Sequence, residues 1–142
     1  MTRIDKIIDA KPHRLLSIEP DATVYEALCS MALYDVGALV VADRDRLVGV
    51  FSERDYARKV ILLGKSSKET LVREVMVDKV PRVTPQDTVD QCMALMTKYR
   101  MRHLPVLDDD RVTAVISIGD LVKAKISEQS FVIRELENYL HT

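Results

Sequence analysis

The chain has no tryptophan, two phenylalanines and only four glycines among its 142 residues. Glycine this sparse excludes collagen-like and low-complexity chains, and a hydrophobic share of 47% excludes a disordered one. The two cysteines, Cys29 and Cys92, stand far apart and outside any C-x-x-C. That sets aside a disulfide framework and a thiolate metal site. Each falls in an amphipathic helical pattern and is expected to be reduced and buried. The longest apolar runs, "GALVVA" and "VILLG", are too short to span a bilayer. A formal charge of −1 supplies no overall attraction for nucleic acid or an anionic membrane. The opening "MTRIDKIIDAK" lacks the apolar core of a secretory signal, so a cytoplasmic location is the expectation.

What the chain does contain is itself, twice. "GVFSERDYARKV" begins at Gly49 and "AVISIGDLVKAK" at Ala114, and both read as an apolar strand, then Ser-x-x-Asp, then a helix. A shift of 65 positions, from Ser52 to Ser117 and from Asp55 to Asp120, aligns residues 17–60 with 82–125 without a gap. Pro20/Pro85, Thr23/Thr88, Met31/Met96, Tyr34/Tyr99, Leu39/Leu104, Asp43/Asp108 and Arg46/Arg111 all coincide. This is an internal duplication.

Each copy follows one grammar. An extended piece ("LLSIEP", "PRVTP") ends at proline, and Thr23-x-x-Glu26 or Thr88-x-x-Gln91 then has capping-box spacing. The helix that follows carries Val24, Ala27, Leu28 and Met31, or Val89, Cys92, Met93 and Met96, each set a single apolar stripe. Two apolar runs joined by "DRDR" or "DDDR" predict a hairpin, and the Ser-x-x-Asp leads into a second helix. The class is therefore α+β, built of two β-α-β-β-α repeats. About 60 residues make a marginal core, so the copies are expected to pack through their sheets. Residues 1–10 predict a leading helix, 66–76 a capped helical connector, and 126–140 a trailing helix with Ile133, Leu136 and Leu140 on one side. The expected division is 1–75 for the first repeat with leading helix and connector, and 76–142 for the second with the trailing helix.

With the doubled unit, the "GVFSERD" and "AVISIGD" junctions and "RHLPV" at residues 102–106, the chain resembles a tandem pair of CBS domains, a Bateman module, of the stand-alone bacterial type. The likeness covers essentially the whole chain and departs from the usual pattern at Ala114, where glycine is common. It implies the CBS fold with pseudo-twofold symmetry and a regulatory site for adenine nucleotides such as AMP, ADP, ATP or NAD(H). It further implies a homodimer and a protein effector; from the residues themselves no metal, nucleic acid or membrane partner is expected.

Ser-x-x-Asp at a strand-to-helix junction has a plain explanation as an N-cap and a first-turn acid. Its recurrence at equivalent places adds a second one. Strand ends open a crevice, first-turn amides favour an anion, and a carboxylate there can accept both ribose hydroxyls. The resemblance assigns these roles to Ser52 and Asp55 in one site and to Ser117 and Asp120 in the other. The copies differ in their cations: Arg54 faces Gly119 in the alignment, while Arg102 and His103 face Gly37 and Ala38. Arg54, Arg102 and His103 are therefore expected to hold phosphates jointly in a central cleft. Arg100 is expected to point away from Arg102 by strand alternation. The adenine slot is sought in the segments 15–18 and 80–83, including Ile18, Val80 and Pro81, and in Phe51 and Ile116, with ordinary core as the competing reading of each. Lys11 and Arg14 lie within reach of a phosphate, with surface solvation as the competing reading; His13 and His141 carry no argument.

An enzyme finds no support in the residues: there is no G-x-x-x-x-G-K-[ST] loop, no H-E-x-x-H and no nucleophile beside a histidine. Two non-catalytic readings stand: a nucleotide sensor, or a structural dimerisation module with a vestigial pocket, to which Ala114 and Gly119 lend weight.

Overall fold

A computed structural model describes residues 2–11 and 15–141. In the first repeat, β1 (Ser17–Ile18) pairs in parallel with β2 (Ala38–Asp43), which pairs antiparallel with β3 (Arg46–Ser52). Helix α2 (Val24–Tyr34) connects β1 to β2, and α3 (Glu53–Tyr56) follows β3 and continues as a π-helical turn, Ala57–Ile61. The second repeat has α5 (Val89–Tyr99), the hairpin β4 (His103–Asp108) and β5 (Arg111–Ser117), and α6 (Ile118–Leu140). A single parallel bridge, Val83 to Val106, stands where the first repeat has β1. The duplication extends to irregularities: the ladder shifts register after Val41 in one copy and after Val106, 65 positions on, in the other.

Local chemistry explains the element ends. Thr23 Oγ1 accepts from Glu26 N at 3.1 Å, and Thr88 Oγ1 from Gln91 N at 3.2 Å; the reciprocal bond, Thr88 N to Gln91 Oε1, closes the box in α5. Both helices stop on a left-handed residue, Asp35 (φ 53°) and Arg100 (φ 54°), whose backbone amides close the last turn.

The sheets are buried on both faces, and alternation sorts their side chains. Leu39, Val41 and Phe51 join Val24, Ala27 and Met31 in the first repeat's core. Leu104, Val106 and Ile116 join Val89, Cys92 and Met96 in the second. Val40 and Ala42 point the other way and meet Leu107 and Val112 in a third cluster that fastens the repeats together, with Val112 N bonded to Asp45 O at 3.0 Å. The repeats thus pack through their sheets.

Three sequence expectations change in detail. The trailing helix is not separate: α6 runs unbroken for 23 residues from the Ser117 cap. The connector is helical only over α4 (Val72–Val75). Cys29 is exposed, on the outer side of α2, whereas Cys92 is buried and its thiol is pushed up to about 11, by burial first and by Asp87 second.

The leading helix α1 (Asp5–Asp9), placed beside the first repeat by chain order, packs into the second. Ile4 and Ile8 sit in its core, and the amides of Ile4 and Val89 bond to Asp87 O and Thr2 O. The connector does the same in reverse: Val72 and Val75 sit in the first repeat's core, and Val72 N and Val24 N bond to Ala22 O and Thr70 O. "TRIDKII" and "TLVREVM", 68 positions apart, are therefore equivalent pieces: each precedes one β-α-β-β-α unit and docks on the other.

Candidate functional site

At the first junction the chain leaves β3 extended at Ser52 and enters α3 through a closed capping box. Ser52 Oγ accepts from Asp55 N at 3.3 Å, and both Ser52 N and Ser52 Oγ donate to Asp55 Oδ2 at 3.0 Å. The other oxygen, Oδ1, lies 3.2 Å from Lys59 Nζ, one turn further on. Asp55 is 8% exposed.

The second junction repeats the box, with Ser117 N to Asp120 Oδ2 at 2.9 Å and Asp120 N to Ser117 Oγ at 3.1 Å. Its cation comes from elsewhere: Lys11 Nζ reaches Asp120 Oδ2 at 2.7 Å and Val115 O at 2.8 Å. Burial alone would raise the Asp120 carboxyl, but Lys11 and the Ser117 amide outweigh it and the net shift is downward. His103 is held below the usual imidazole value, chiefly by burial and then by Lys11, so it is mostly neutral at pH 7.

A cleft of about 830 Å³ opens between the repeats. The first repeat lines it with Ser52, Arg54 and Asp55, and the second with Arg102 and His103. Five of the residues expected at a site are thus brought together. Ser117, Asp120 and Lys11 belong to the second junction and do not line this cleft. Phe51 and Ile116 are fully buried core, and Ile18 packs against the first repeat's core. Val80 and Pro81 are half-buried and are not among the residues that line the cleft. Arg14 and His13 lie outside the described residues.

The cleft also holds cations that sequence reasoning missed. Arg58 and Lys59 stand one turn beyond Arg54 and Asp55, so helical spacing alone would have found them. Lys79 corresponds to Lys11 under the 68-residue shift between the exchanged segments. Arg100 lines the cleft as well: it caps α5 in the left-handed region rather than alternating along a strand. Val50, Val77, Tyr99 and Met101 supply the apolar wall.

Gly49 explains how Val77 arrives there. Val50 and Val77 exchange backbone bonds of 2.9 Å in both directions, and a Cβ on Gly49 would lie 2.6 Å from Val77 O. At Ala114 the methyl is accommodated in the core, and the neighbouring Val115 carbonyl is taken by Lys11 instead. Among the described residues no group of three or more His, Cys, Asp or Glu side chains converges as a metal site would require, and no helix is long and apolar enough to cross a membrane.

Comparison with known proteins agrees with this architecture. The profile of the CBS domain family matches residues 9–61 and 72–127. The CBS domain-containing protein CBSX3, mitochondrial, of Arabidopsis thaliana is 42% identical over 125 residues, which are 84% of this chain and 61% of that protein, so the chain spans less than two thirds of it. A solved protein with CBS domains from Burkholderia ambifaria is 48% identical with a TM-score of 0.84, covering 90% of this chain and 96% of that one. A CBS domain pair solved with 5′-methylthioadenosine and S-adenosyl-L-methionine is 23% identical with a TM-score of 0.79, over 90% and 98% of the two chains, and shares the fold. The two matched segments are the two halves of the duplication, and the chain belongs to the CBS domain family as a tandem pair, a regulatory module.

Proposed function

We propose that the chain is a non-catalytic sensor that binds an adenine nucleotide, AMP, ADP, ATP or NAD(H), in the cleft between its repeats. One observation carries this: a buried junction carboxylate, Asp55, shares a single cleft with arginines from both halves of the duplication, Arg54 and Arg102. A carboxylate has about four lone-pair sites, so Asp55 can accept ribose hydroxyls while keeping its Ser52 bonds, with Lys59 yielding Oδ1. Guanidinium groups suit phosphate oxygens, neutral His103 can donate one hydrogen bond, and the base packs on Val50, Val77 and Met101. That the same fold holds adenosyl ligands in a distant neighbour is compatible with this choice. An exposed free thiol at Cys29 suits a reducing, cytoplasmic compartment.

The module would signal by differential affinity, ligand favouring one arrangement of the repeats that a protein effector reads. Thermal melting with each nucleotide tests the function. A raised midpoint with at least one supports it, and no shift with any would leave a purely structural module.

The same reading includes a homodimer, and α6 supports it. Val122, Ile126, Ile133, Leu136 and Leu140 are all exposed and, with Gln129, follow alternate steps of four and three residues. This is the a/d spacing of a coiled coil, with Ile126, Ile133 and Leu140 at a and Val122, Gln129 and Leu136 at d. A second copy of α6 is the proposed occupant.

A further inference from the structure

We propose, resting on the nucleotide reading above, that the cleft selects a nucleoside di- or triphosphate over a monophosphate and takes one per chain. Six cationic side chains line it (Arg54, Arg58, Lys59, Lys79, Arg100 and Arg102), against the acids Glu53 and Asp55. The excess is four positive charges. A single phosphate group carries about two negative charges at most, so a monophosphate would leave roughly half of this field unmatched. Five of the six cations are exposed and Lys59 is half-buried, so the mismatch is greatest at low salt, where screening is weakest.

The placement of the cations argues the same way. Arg54 and Arg58 are one turn apart on the same helical segment, a rise of about 6 Å, and Arg100 and Arg102 approach from the other repeat. Cations spread along a path suit a phosphate chain better than one compact group, and four of the six are arginines able to grip its oxygens in pairs.

The second junction is the internal control. At the positions equivalent to Arg54, Lys59, Arg100 and Arg102 it has Gly119, Ala124, Asp35 and Gly37, while Arg58 and Lys79 keep cationic counterparts in Lys123 and Lys11. Its own aspartate is engaged by Lys11 at 2.7 Å. Four of the six cations thus have no counterpart at the second junction, and its Lys11 is taken up by Asp120, which sets the stoichiometry at a single polyphosphate.

The test is titration calorimetry of the full chain with adenosine, AMP, ADP, ATP, NADH and inorganic tripolyphosphate, metal-free and at low salt. ATP is expected to bind about tenfold or more tightly than AMP, at one per chain, with tripolyphosphate competing for the site. Lys79→Ala and Arg58→Ala, both at exposed positions, should lower ATP affinity more than AMP affinity and so shrink the ATP-to-AMP ratio. AMP or NADH binding as tightly as ATP would overturn the inference and leave the nucleotide reading intact. Failure of every adenine ligand to bind would overturn both. A circular dichroism melt of each variant, matched to the parent, separates lost contacts from lost fold.

Discussion

Lys11 and Asp120 form an ion pair, Nζ to Oδ2 at 2.7 Å, that ties the segment just after the leading helix to the strand-to-helix junction of the distant repeat. About four fifths of each side chain is covered, and Lys11 also holds the Val115 carbonyl at 2.8 Å. Replacement by Lys11→Met keeps the stem and removes the charge, leaving a half-buried carboxylate and a carbonyl without their donor. The expected loss is about 1–3 kcal/mol in urea unfolding at pH 7. Because the pair depresses the Asp120 pKa, its contribution is full above the ordinary carboxyl value of 3.8 and vanishes as pH falls through the lowered one. Parent and variant stabilities should therefore converge only on the acid limb; a gap that is flat from pH 7 to pH 2 would contradict the assignment.

Gly49→Ala is expected to be costly, about 1–3 kcal/mol, because its Cβ would sit 2.6 Å from a backbone oxygen that cannot step aside without breaking the Val50–Val77 bridge. Since that bridge carries the chain towards Lys79, nucleotide affinity should fall as well. Chemical denaturation and calorimetry on the same preparation read both effects.

Asp55→Ala and Arg102→Ala should each weaken nucleotide binding about tenfold or more, whereas Asp120→Ala should barely alter it, its carboxylate lying outside the cleft. Asp55→Asn retains one acceptor oxygen and should fall between parent and Asp55→Ala. Equal losses at Asp55 and Asp120 would show that both junctions take ligand.

Leu136→Lys places a charge on the exposed seam of α6, where the side chain is 58% exposed in the single chain. The monomer's stability should change by less than about 0.5 kcal/mol, while self-association is lost. Analytical ultracentrifugation across concentration distinguishes this from a variant and parent of equal mass, which would remove α6 as the contact.

The repeat, the capping boxes and the hairpins could be read from residue order because their signals are local and occur twice. Thr88-x-x-Gln91 and the alternation through Leu104 and Val106 needed no tertiary information. The cleft was half visible for the same reason: Ser52, Asp55, Arg54 and Arg102 lie in or beside the duplicated junctions and strands. What escaped depended on where surfaces meet. Nothing local tells α1 to cross to the second repeat, and Arg100 turns into the cleft only because α5 ends on a left-handed residue. Cys29 and Cys92 share an amphipathic pattern, yet one lies off the packed stripe.

The crossed docking of residues 2–8 and 70–76 makes the two halves mutually dependent. A cut at the midpoint would yield fragments that each carry a plug belonging to the other. Trimming a handful of residues at the amino terminus would open a hole in the half of the molecule farthest from it in chain order. Such an interlock ties the stability of each lobe to the other, so the pair should unfold as one cooperative body.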